Sequence, residues 1–318
     1  MNIKEKQPVI VTAYWDVGRA KSDLLPRNNE RYYLEFAEWA RIRNELYVFT
    51  DSRSAEKIID IRKNYGLEEH THIILTGNCF EIEPELYHRM KKIEVERKKT
   101  DYYFYQNDMS LNADFDYAWM MKYWCIGEMK KYLQDDDLIA WMDFGFNHIN
   151  RTYSNMKEFD FLWTCKIDMD KIHIFAIRPI EDITIVDSLQ LQVDTIMGVM
   201  HLVPSLYAED FWKLIKKSME SLTMIGCIDD DQQLLLMSYK YKPEIFHVHL
   251  SSWFMPLKEN GANHLTVNIS KRNYPKIFFS RILKPQPHLL GFGLRSYKRA
   301  KSFFGFSFFK AIRFLKKR

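Results

Sequence analysis

Residues 8–14 read Pro-Val-Ile-Val-Thr-Ala-Tyr, a short apolar run with β-branched side chains that predicts a buried strand. Two similar runs follow at residues 46–50 and 71–76. The intervening residues 29–43 and 55–65 repeat apolar positions at helical spacing. Alternating strands and helices are typical of βαβ units. The sequence therefore predicts an α/β, Rossmann-like domain with a mostly parallel central sheet.

The chain continues in the same manner to about residue 260. Further strands are expected at residues 138–142, 161–165 and 171–177, and a strand or loop at 247–253. Another apolar segment, around residues 194–203, carries Gly198. Helices are expected at residues 85–100 (basic and exposed), 116–133, 208–222 and 230–240. No linker or internal repeat interrupts this part. We therefore predict a single domain over residues 1–260 and a separate extension over 261–318.

The composition argues against several classes of protein. An aromatic content of 15% over 318 residues is not typical of disorder. The four cysteines are widely spaced without a Cys-x-x-Cys pair, which disfavours a disulfide framework or a zinc cluster and indicates a reducing compartment. Neither a signal-peptide segment nor an apolar run of 18 residues is present. We expect a cytoplasmic protein without a transmembrane helix.

Charge is distributed unevenly along the chain. Residues 260–318 contain 14 Lys and Arg and no acidic residue, whereas residues 1–259 carry a net charge of −10. Eight aromatic residues are interleaved with this basic charge over residues 292–314. This pattern predicts a basic amphipathic helix on an anionic membrane surface, at the inner face of the cell membrane. Binding of single-stranded nucleic acid is the alternative, and the acidic remainder of the chain disfavours it.

The strongest candidate for chemistry is Asp143, which directly follows the apolar run 138–142 and precedes Phe144 and Gly145. A carboxylate at the end of a buried strand lies at the rim of the sheet, where it can hold a divalent cation that bridges a diphosphate. Trp141 and Gly145 flank the same rim. The alternative is an ordinary strand-terminating aspartate in a turn.

Two more strand ends carry candidate ligand-binding residues. The end of the first strand contributes Thr12, Ala13, Tyr14, Asp16, Gly18 and Arg19. Gly18 permits close backbone approach, and Arg19 can pair with phosphate, although a turn with a surface arginine would look the same. Asp51 ends the second strand, where it can accept a hydrogen bond from a nucleoside or cap the next helix.

Three further groups are weaker candidates. Lys122 lies in an aromatic helix and can point its ammonium group at phosphate or extend to solvent. Asp230 and Asp231 open a helix, where acidic residues are favoured anyway, and either can serve as a catalytic base. His247 and His249 share one side of an extended segment, and His249 is the candidate metal ligand against an ordinary structural role.

Several of these segments together resemble the HtrL/YibB-type family (WlaTC/HtrL) of bacterial surface-polysaccharide proteins. The resemblance spans roughly residues 8–255 and rests on segments that agree in order and spacing: Val11–Arg19, Asn29–Tyr32 with Phe36 and Trp39, Leu46–Asp51, and Ala140–Phe146. The family looks like GT-A glycosyltransferases, so the resemblance implies a GT-A-like fold and a nucleotide-sugar donor. It also implies a divalent metal, Mn²⁺ or Mg²⁺.

The resemblance also assigns residues to the site. It implies that Asp143 takes the place of the family's metal or diphosphate carboxylate, although Gly145 stands where the usual Asp-x-Asp has its second carboxylate. Donor-nucleotide contacts would fall on Thr12, Asp16, Gly18, Arg19 and Asp51.

The expected reaction is transfer of a sugar from a UDP-linked donor, such as galactose or galactofuranose, to a lipid-linked glycan acceptor in capsule or lipopolysaccharide synthesis. A nucleotidyl- or phosphotransferase and a non-catalytic, membrane-associated assembly factor are the alternatives. The sequence assigns no oligomeric state.

Overall fold

Nine strands and eight α-helices form the described part of the chain, residues 2–18, 29–98, 112–147, 152–191 and 194–268 of the computed structural model. The strands are β1 (Ile3–Lys6), β2 (Val9–Tyr14), β3 (Leu46–Thr50), β4 (Thr71–Leu75), β5 (Leu138–Met142), β6 (Cys165–Asp168), β7 (Ile172–Ala176), β8 (Ile196–Pro204) and β9 (Phe246–Leu250). The helices are α1 (Asn29–Trp39), α2 (Ser52–Lys63), α3 (Pro84–Arg97), α4 (Ala113–Glu128), α5 (Ile185–Leu191), α6 (Ala208–Met224), α7 (Asp231–Tyr241) and α8 (Pro256–Glu259).

The central sheet has seven strands in the order β4-β3-β2-β5-β8-β7-β9. Neighbouring strands run parallel except at β8, which is antiparallel to both β5 and β7. A separate antiparallel pair joins β1 to β6. The predicted α/β fold with a mostly parallel central sheet is confirmed by these directions. The parallel strands β2 and β5 end side by side, and their carboxyl ends form the rim that carries the candidate site.

Side chains from both faces of the sheet are buried in two apolar clusters. One cluster contains α4, α6 and α7 side chains together with Trp141, Ile172 and Ile174 from the strands. The other contains α1 side chains with Phe144 and Phe175. Consecutive strand residues point to opposite faces of the sheet. A polar strand residue therefore lies on the face opposite to that of the apolar cluster that contains its immediate neighbours.

A buried arginine connects the elements at one edge of the sheet. Arg62 on α2 is 1% exposed and donates hydrogen bonds to the carbonyl oxygens of Ala40, Ile42, Asn44 and His70, and to the hydroxyl of Thr71. Its pKa is lowered to about 10 by burial. The planar guanidinium fork satisfies carbonyl groups that would otherwise lack partners.

Several predicted boundaries differ from the structure. The strand predicted at 161–165 lies at Cys165–Asp168, and the sequence patterns did not indicate β1 or α5. The helix expected to be exposed, α3, buries Leu86, Met90 and Ile93 on one face. All three elements that were missed or misread are short or strongly charged, so their apolar periodicity is weak.

The start of the predicted extension belongs to the described part. Ala262 and Leu265 are fully buried, and Val267 forms a β-bridge with Tyr153. The basic amphipathic helix predicted over residues 292–314 lies outside the described residues, so it stays a prediction. None of the helices in the described ranges has the length and apolarity needed to cross a membrane.

Candidate active site

A cavity of about 370 Å³ opens at the carboxyl ends of β2 and β5. Its wall combines four carboxylates with one lysine and several aromatic rings. The acidic and basic lining residues are Asp16, Asp143, Asp230, Asp231 and Lys122, and the aromatic ones are Tyr14, Trp15, Tyr32, Phe115, Trp119, Trp141, Phe144 and Trp253. A volume of this size suits one small polar ligand with a planar group that stacks on the rings.

Lys122 is the centre of the polar wall. Its Nζ donates to Asp231 Oδ2 at 2.6 Å, to the carbonyl oxygen of Gly198 at 2.9 Å and to Asp143 Oδ1 at 3.2 Å. The residue is 5% exposed. Burial alone would lower the pKa of this lysine, but the two carboxylates outweigh it and raise the pKa above its ordinary value. The charged form of the ammonium group is therefore favoured, and three acceptors hold it in one position.

Asp143 is oriented from two sides. Its Oδ1 accepts hydrogen bonds from Trp141 Nε1 at 2.8 Å and from Lys122, and its backbone N–H donates to the carbonyl oxygen of Val199. Among the described residues, these side-chain bonds involve Oδ1 alone, and the side chain is 28% exposed. The second carboxylate oxygen, Oδ2, therefore remains available for a ligand on the cavity side.

Gly198 makes room for Asp231. A Cβ atom at position 198 would lie 1.8 Å from Asp231 Oδ2 and 2.6 Å from its Cγ. The carboxylate thus occupies the space above β8 where any other residue would place a side chain. The sequence identifies Gly198 only as part of an apolar segment, because this contact joins residues from different elements.

Burial raises the pKa of two carboxyl groups, Asp229 and Asp230, directly before α7. Asp230 accepts from the backbone N–H of Gln232 as the N-cap, and Asp229 is 1% exposed with Oδ2 unpartnered among the described residues. Burial raises the pKa of Asp229 to about 7. Burial, together with the charges of Asp231 and Asp229, also raises the pKa of Asp230. Asp116, fully buried nearby on α4, likewise has a raised pKa, caused mainly by burial.

The Asp-x-Gly sequence has a physical explanation. A Cβ atom at Gly145 would lie 2.6 Å from Glu35 Oε2, a carboxylate oxygen of the fully buried side chain that α1 places there. Glu35 is also paired with Arg31 at 2.9 Å. An aspartate at position 145 would therefore require Glu35 to move. The space beside Asp143 is already occupied by a carboxylate that comes from another part of the chain.

The predicted site residues divide into two groups. Those that the structure brings together around the cavity are Ala13, Tyr14, Asp16, Lys122, Trp141, Asp143, Gly145, Asp230 and Asp231. Their roles stay predictions. Five aromatic residues also line the cavity without having been predicted to do so: Trp15, Tyr32, Phe115, Trp119 and Trp253. Their aromatic character is the one sequence feature that could have indicated this.

Four predicted residues of the described ranges, Thr12, Gly18, Asp51 and His249, do not line the cavity. Thr12 is fully buried within the sheet between β3 and β5. Gly18 has a φ of 75° and donates its N–H to Asp16 Oδ1 within the turn that follows β2. Asp51 accepts from the backbone N–H groups of Arg53 and Ser54 and so caps α2. Arg19 lies outside the described residues.

The fourth is His249, which the structure places in a different environment from Asp143. Its ring stacks on Phe175 and His247 on the β7–β9 edge. Burial and the neighbouring His173 and His247 lower its pKa to about 3. Parallel pairing with β7 directs His249 away from the α4 face, so His249 and Asp143 lie in separate environments, and the metal-ligand role of each stays a prediction.

The cavity can bind a divalent cation only together with a ligand that supplies further oxygen atoms. No three acidic residues of the described cavity wall converge closely enough to form an all-protein site. Asp143 Oδ2 can supply one oxygen ligand, and Mg²⁺ or Mn²⁺ commonly takes one or two carboxylates and completes its shell with phosphates and water. The residues therefore fit a cation that a diphosphate ligand brings with it.

Sequence comparison finds one family. The family model described as "Bacterial protein of unknown function (HtrL_YibB)" matches residues 6–258. The chain is also 24% identical over 301 residues to "Protein HtrL" of Escherichia coli (strain K12), an alignment that covers 86% of this chain and 98% of that protein.

The solved structures that are similar to this chain include two with low TM-scores. Mouse xyloside xylosyltransferase 1 in its apo form has a TM-score of 0.39 and 12% identity, and the match covers 78% of this chain and 89% of that one. The 4-diphosphocytidyl-2C-methyl-D-erythritol synthase from Anaerococcus prevotii DSM 20548 has a TM-score of 0.34 and 12% identity, with 86% and 94% covered.

Proposed function

Since the chain belongs to the HtrL_YibB family of bacterial proteins, whose description leaves the activity open, we propose a function from the chemistry of its cavity. The protein is a GT-A-type glycosyltransferase that uses a nucleoside-diphosphate sugar. The observation that carries this proposal is the Lys122–Asp143–Asp231 cluster at the carboxyl ends of β2 and β5. The cluster places the Lys122 ammonium group, the Asp143 carboxylate that can bind a metal ion, and the Asp231 carboxylate in one cavity of ligand size.

Sugar transfer needs these groups because a nucleoside diphosphate leaves with developing negative charge. The Lys122 ammonium group, already held by Asp231 and Gly198, offsets charge on the diphosphate without having to reorganise. Asp143 Oδ2 would hold Mg²⁺ or Mn²⁺, whose chemistry is neutralisation of phosphate oxygens. The aromatic wall, including Trp15 and Trp119, provides stacking surfaces for the base or the sugar ring.

The second carboxylate is the proposed base. An acceptor hydroxyl oxygen attacks the anomeric carbon, the bond from that carbon to the diphosphate oxygen breaks, and the hydroxyl proton passes to Asp231. Asp231 Oδ2 is bound by Lys122, so Oδ1 is the atom that receives the proton. Asp230 is the second candidate because it lines the same cavity and because burial and the neighbouring carboxylates raise its pKa.

The finer assignments belong to the same proposal. A UDP-linked hexose, galactose or galactofuranose, is the proposed donor, and a lipid-linked glycan in capsule or lipopolysaccharide synthesis is the proposed acceptor. The 14 basic residues after position 259 support contact with the anionic inner face of the cell membrane, where such an acceptor would be presented.

The test is calorimetry of the full-length protein with UDP, GDP, CMP and their common sugars, with and without Mn²⁺. We expect one nucleoside diphosphate to bind selectively, and Asp143→Ala and Lys122→Met to weaken that binding at least about tenfold. Asp136→Asn is the matched control, since this exposed carboxylate pairs with Lys6. Absence of binding to every ligand in the panel would refute the proposal.

Product analysis separates the alternatives. A glycosyltransferase releases the nucleoside diphosphate, whereas a nucleotidyltransferase releases pyrophosphate. A non-catalytic assembly factor would keep its cellular function in the Asp143→Ala variant.

A further inference from the structure

Three histidines converge at the edge of the sheet opposite β4. His173 lies on β7, and His247 and His249 lie on the edge strand β9. One ligand nitrogen or more from each ring falls within 4.8 Å of the others, and His173 Nδ1 is 2.8 Å from His249 Nε2. Among the described residues, no other group of three His, Cys, Asp or Glu side chains has its ligand atoms within this distance of one another. We call this group the histidine cluster.

Strand pairing creates the cluster. The parallel register places His173 beside His247 and Phe175 beside His249, so all three imidazoles point to one face of the sheet. The rings of His247 and His249 stack at 4.4 Å between centroids. This arrangement is rigid because the ladder hydrogen bonds of β7 and β9 fix the three Cα positions.

A backbone carbonyl sets the tautomer of the buried member. His173 is 1% exposed, and its Nε2 lies 2.8 Å from the carbonyl oxygen of Asp168, which can only accept a hydrogen bond. Nε2 therefore carries the proton, and Nδ1 directs a lone pair toward His249. A carbonyl partner on the far nitrogen is the arrangement that orients histidine ligands in metal sites.

The cluster is separate from the cavity. Ile172 and Ile174 of β7 pack in the same apolar cluster as Trp141 and the α4 side chains, whereas Phe175 packs in the other. His173 alternates with Ile172 and Ile174 along β7, so it faces the layer of Phe175. Lys122 belongs to α4, on the opposite face of the sheet.

We propose that the histidine cluster binds one transition-metal ion, preferably Zn²⁺, with three imidazole nitrogens and one water molecule as ligands. Zn–N bonds of about 2.0–2.1 Å in a tetrahedral site place the nitrogens about 3.4 Å apart. The His173–His249 separation of 2.8 Å would have to open by about 0.6 Å, which small side-chain rotations provide. Nitrogen ligands without a carboxylate favour Zn²⁺, Co²⁺ or Ni²⁺ over Mg²⁺ and Mn²⁺.

Such an ion would cross-link the edge strand to its neighbour. β9 leads directly into residues 251–254, and Trp253 of this segment lines the cavity. The metal would therefore stabilise the strand that positions one wall of the proposed donor site, without contact with the reacting groups.

The test uses tag-free, full-length protein that is treated with EDTA and then titrated with CoCl₂ and, in competition with a chromophoric chelator, with ZnCl₂. We expect one equivalent of Co²⁺ with the visible absorption of a four-coordinate site, displaced by Zn²⁺, and a higher melting temperature with Zn²⁺. His247→Gln and His249→Gln, both partly exposed positions, should each lower the affinity at least about tenfold. His173→Asn is the third variant.

Two controls distinguish this site from others. His70→Gln should leave binding unchanged, because His70 and His72 instead share Glu45. Asp143→Ala should also leave it unchanged, so the outcome is independent of the proposed glycosyltransferase function. A wild-type protein that binds no Co²⁺ or Zn²⁺, or variants at 247 and 249 that bind as tightly as wild type, would overturn the proposal and leave an ordinary hydrogen-bonded histidine cluster.

Discussion

Replacement of Gly198 by alanine tests the geometry of the polar cluster without touching any of its charged groups. The added Cβ atom would lie 1.8 Å from Asp231 Oδ2, and real Cβ atoms essentially never approach a neighbour closer than 3.0 Å. Asp231 Oδ2 therefore has to move by about 1.2 Å, which breaks its 2.6 Å hydrogen bond with Lys122.

The loss of folding stability in Gly198→Ala follows from the burial of the ion pair. The side chains of Lys122 and Asp231 are 6% and 11% exposed, so water does not replace the lost partner effectively. Loss of one partner from a buried ion pair destabilises a protein by about 3–5 kcal/mol. Lys122 retains Asp143 and the Gly198 carbonyl, so we expect the lower end, about 3 kcal/mol. The corresponding fall in melting temperature for a chain of this size is about 5 °C.

A double-mutant cycle in urea measures this coupling. Asp231→Ala removes the three atoms that would lie nearest the new Cβ, namely Oδ1, Oδ2 and Cγ. In that background we expect Gly198→Ala to change the free energy of unfolding by less than about 1 kcal/mol. The interaction energy between the two positions should therefore be at least about 2 kcal/mol.

Equal costs of Gly198→Ala in the two backgrounds would refute the reasoning, because the destabilisation would then arise from β8 itself. A wild-type melting temperature for Gly198→Ala alone would refute it as well, since it would mean that Asp231 moves freely.

Two further predictions concern stability. Because burial raises the pKa of Asp229 to about 7, the folded chain keeps a proton that the unfolded chain releases above its ordinary pKa of about 3.9, so stability falls as pH rises from about 4 to 7. Asp229→Asn should reduce this slope by at most about 1.4 kcal/mol per pH unit, and urea unfolding with an unchanged slope would contradict the assignment. Arg62→Lys should destabilise the protein by about 2–4 kcal/mol in urea because an ammonium has too few donors for the five acceptors of Arg62. The exposed Arg53→Lys is its control, and equal urea midpoints for the two variants would show that the buried guanidinium is dispensable.

Much of the architecture was predictable from local patterns. The apolar runs at residues 8–14, 46–50 and 71–76 correspond to β2, β3 and β4, and Asp143 directly follows β5 as expected. These patterns are informative because strand and helix periodicities depend only on neighbouring residues. Short elements with charged residues, such as β1 and α5, give no such signal.

The candidate site was predictable in part, for the same reason. Parallel strands bring their carboxyl ends to one edge, so residues that follow β2 and β5 were expected to lie together, and they do. Asp51 also follows a strand, but its carboxylate is engaged by the backbone of α2, a local alternative that the sequence could not decide. The sequence also does not show which face β9 presents, so it could not place His249 beside His173 and Phe175.

The amino-acid sequence by itself determined the α/β class, the order of the elements and the strand ends from which the cavity is built, since each depends on contacts within a few residues. Only the tertiary structure decided that Lys122 lies between Asp143 and Asp231, 21 and 109 positions away along the chain. It also decided that Gly198 makes room for one of these carboxylates and that His173 joins His247 and His249. The physical reason is that such contacts arise from the packing of whole helices and strands, and local periodicity carries no information about which distant side chains will share a buried space.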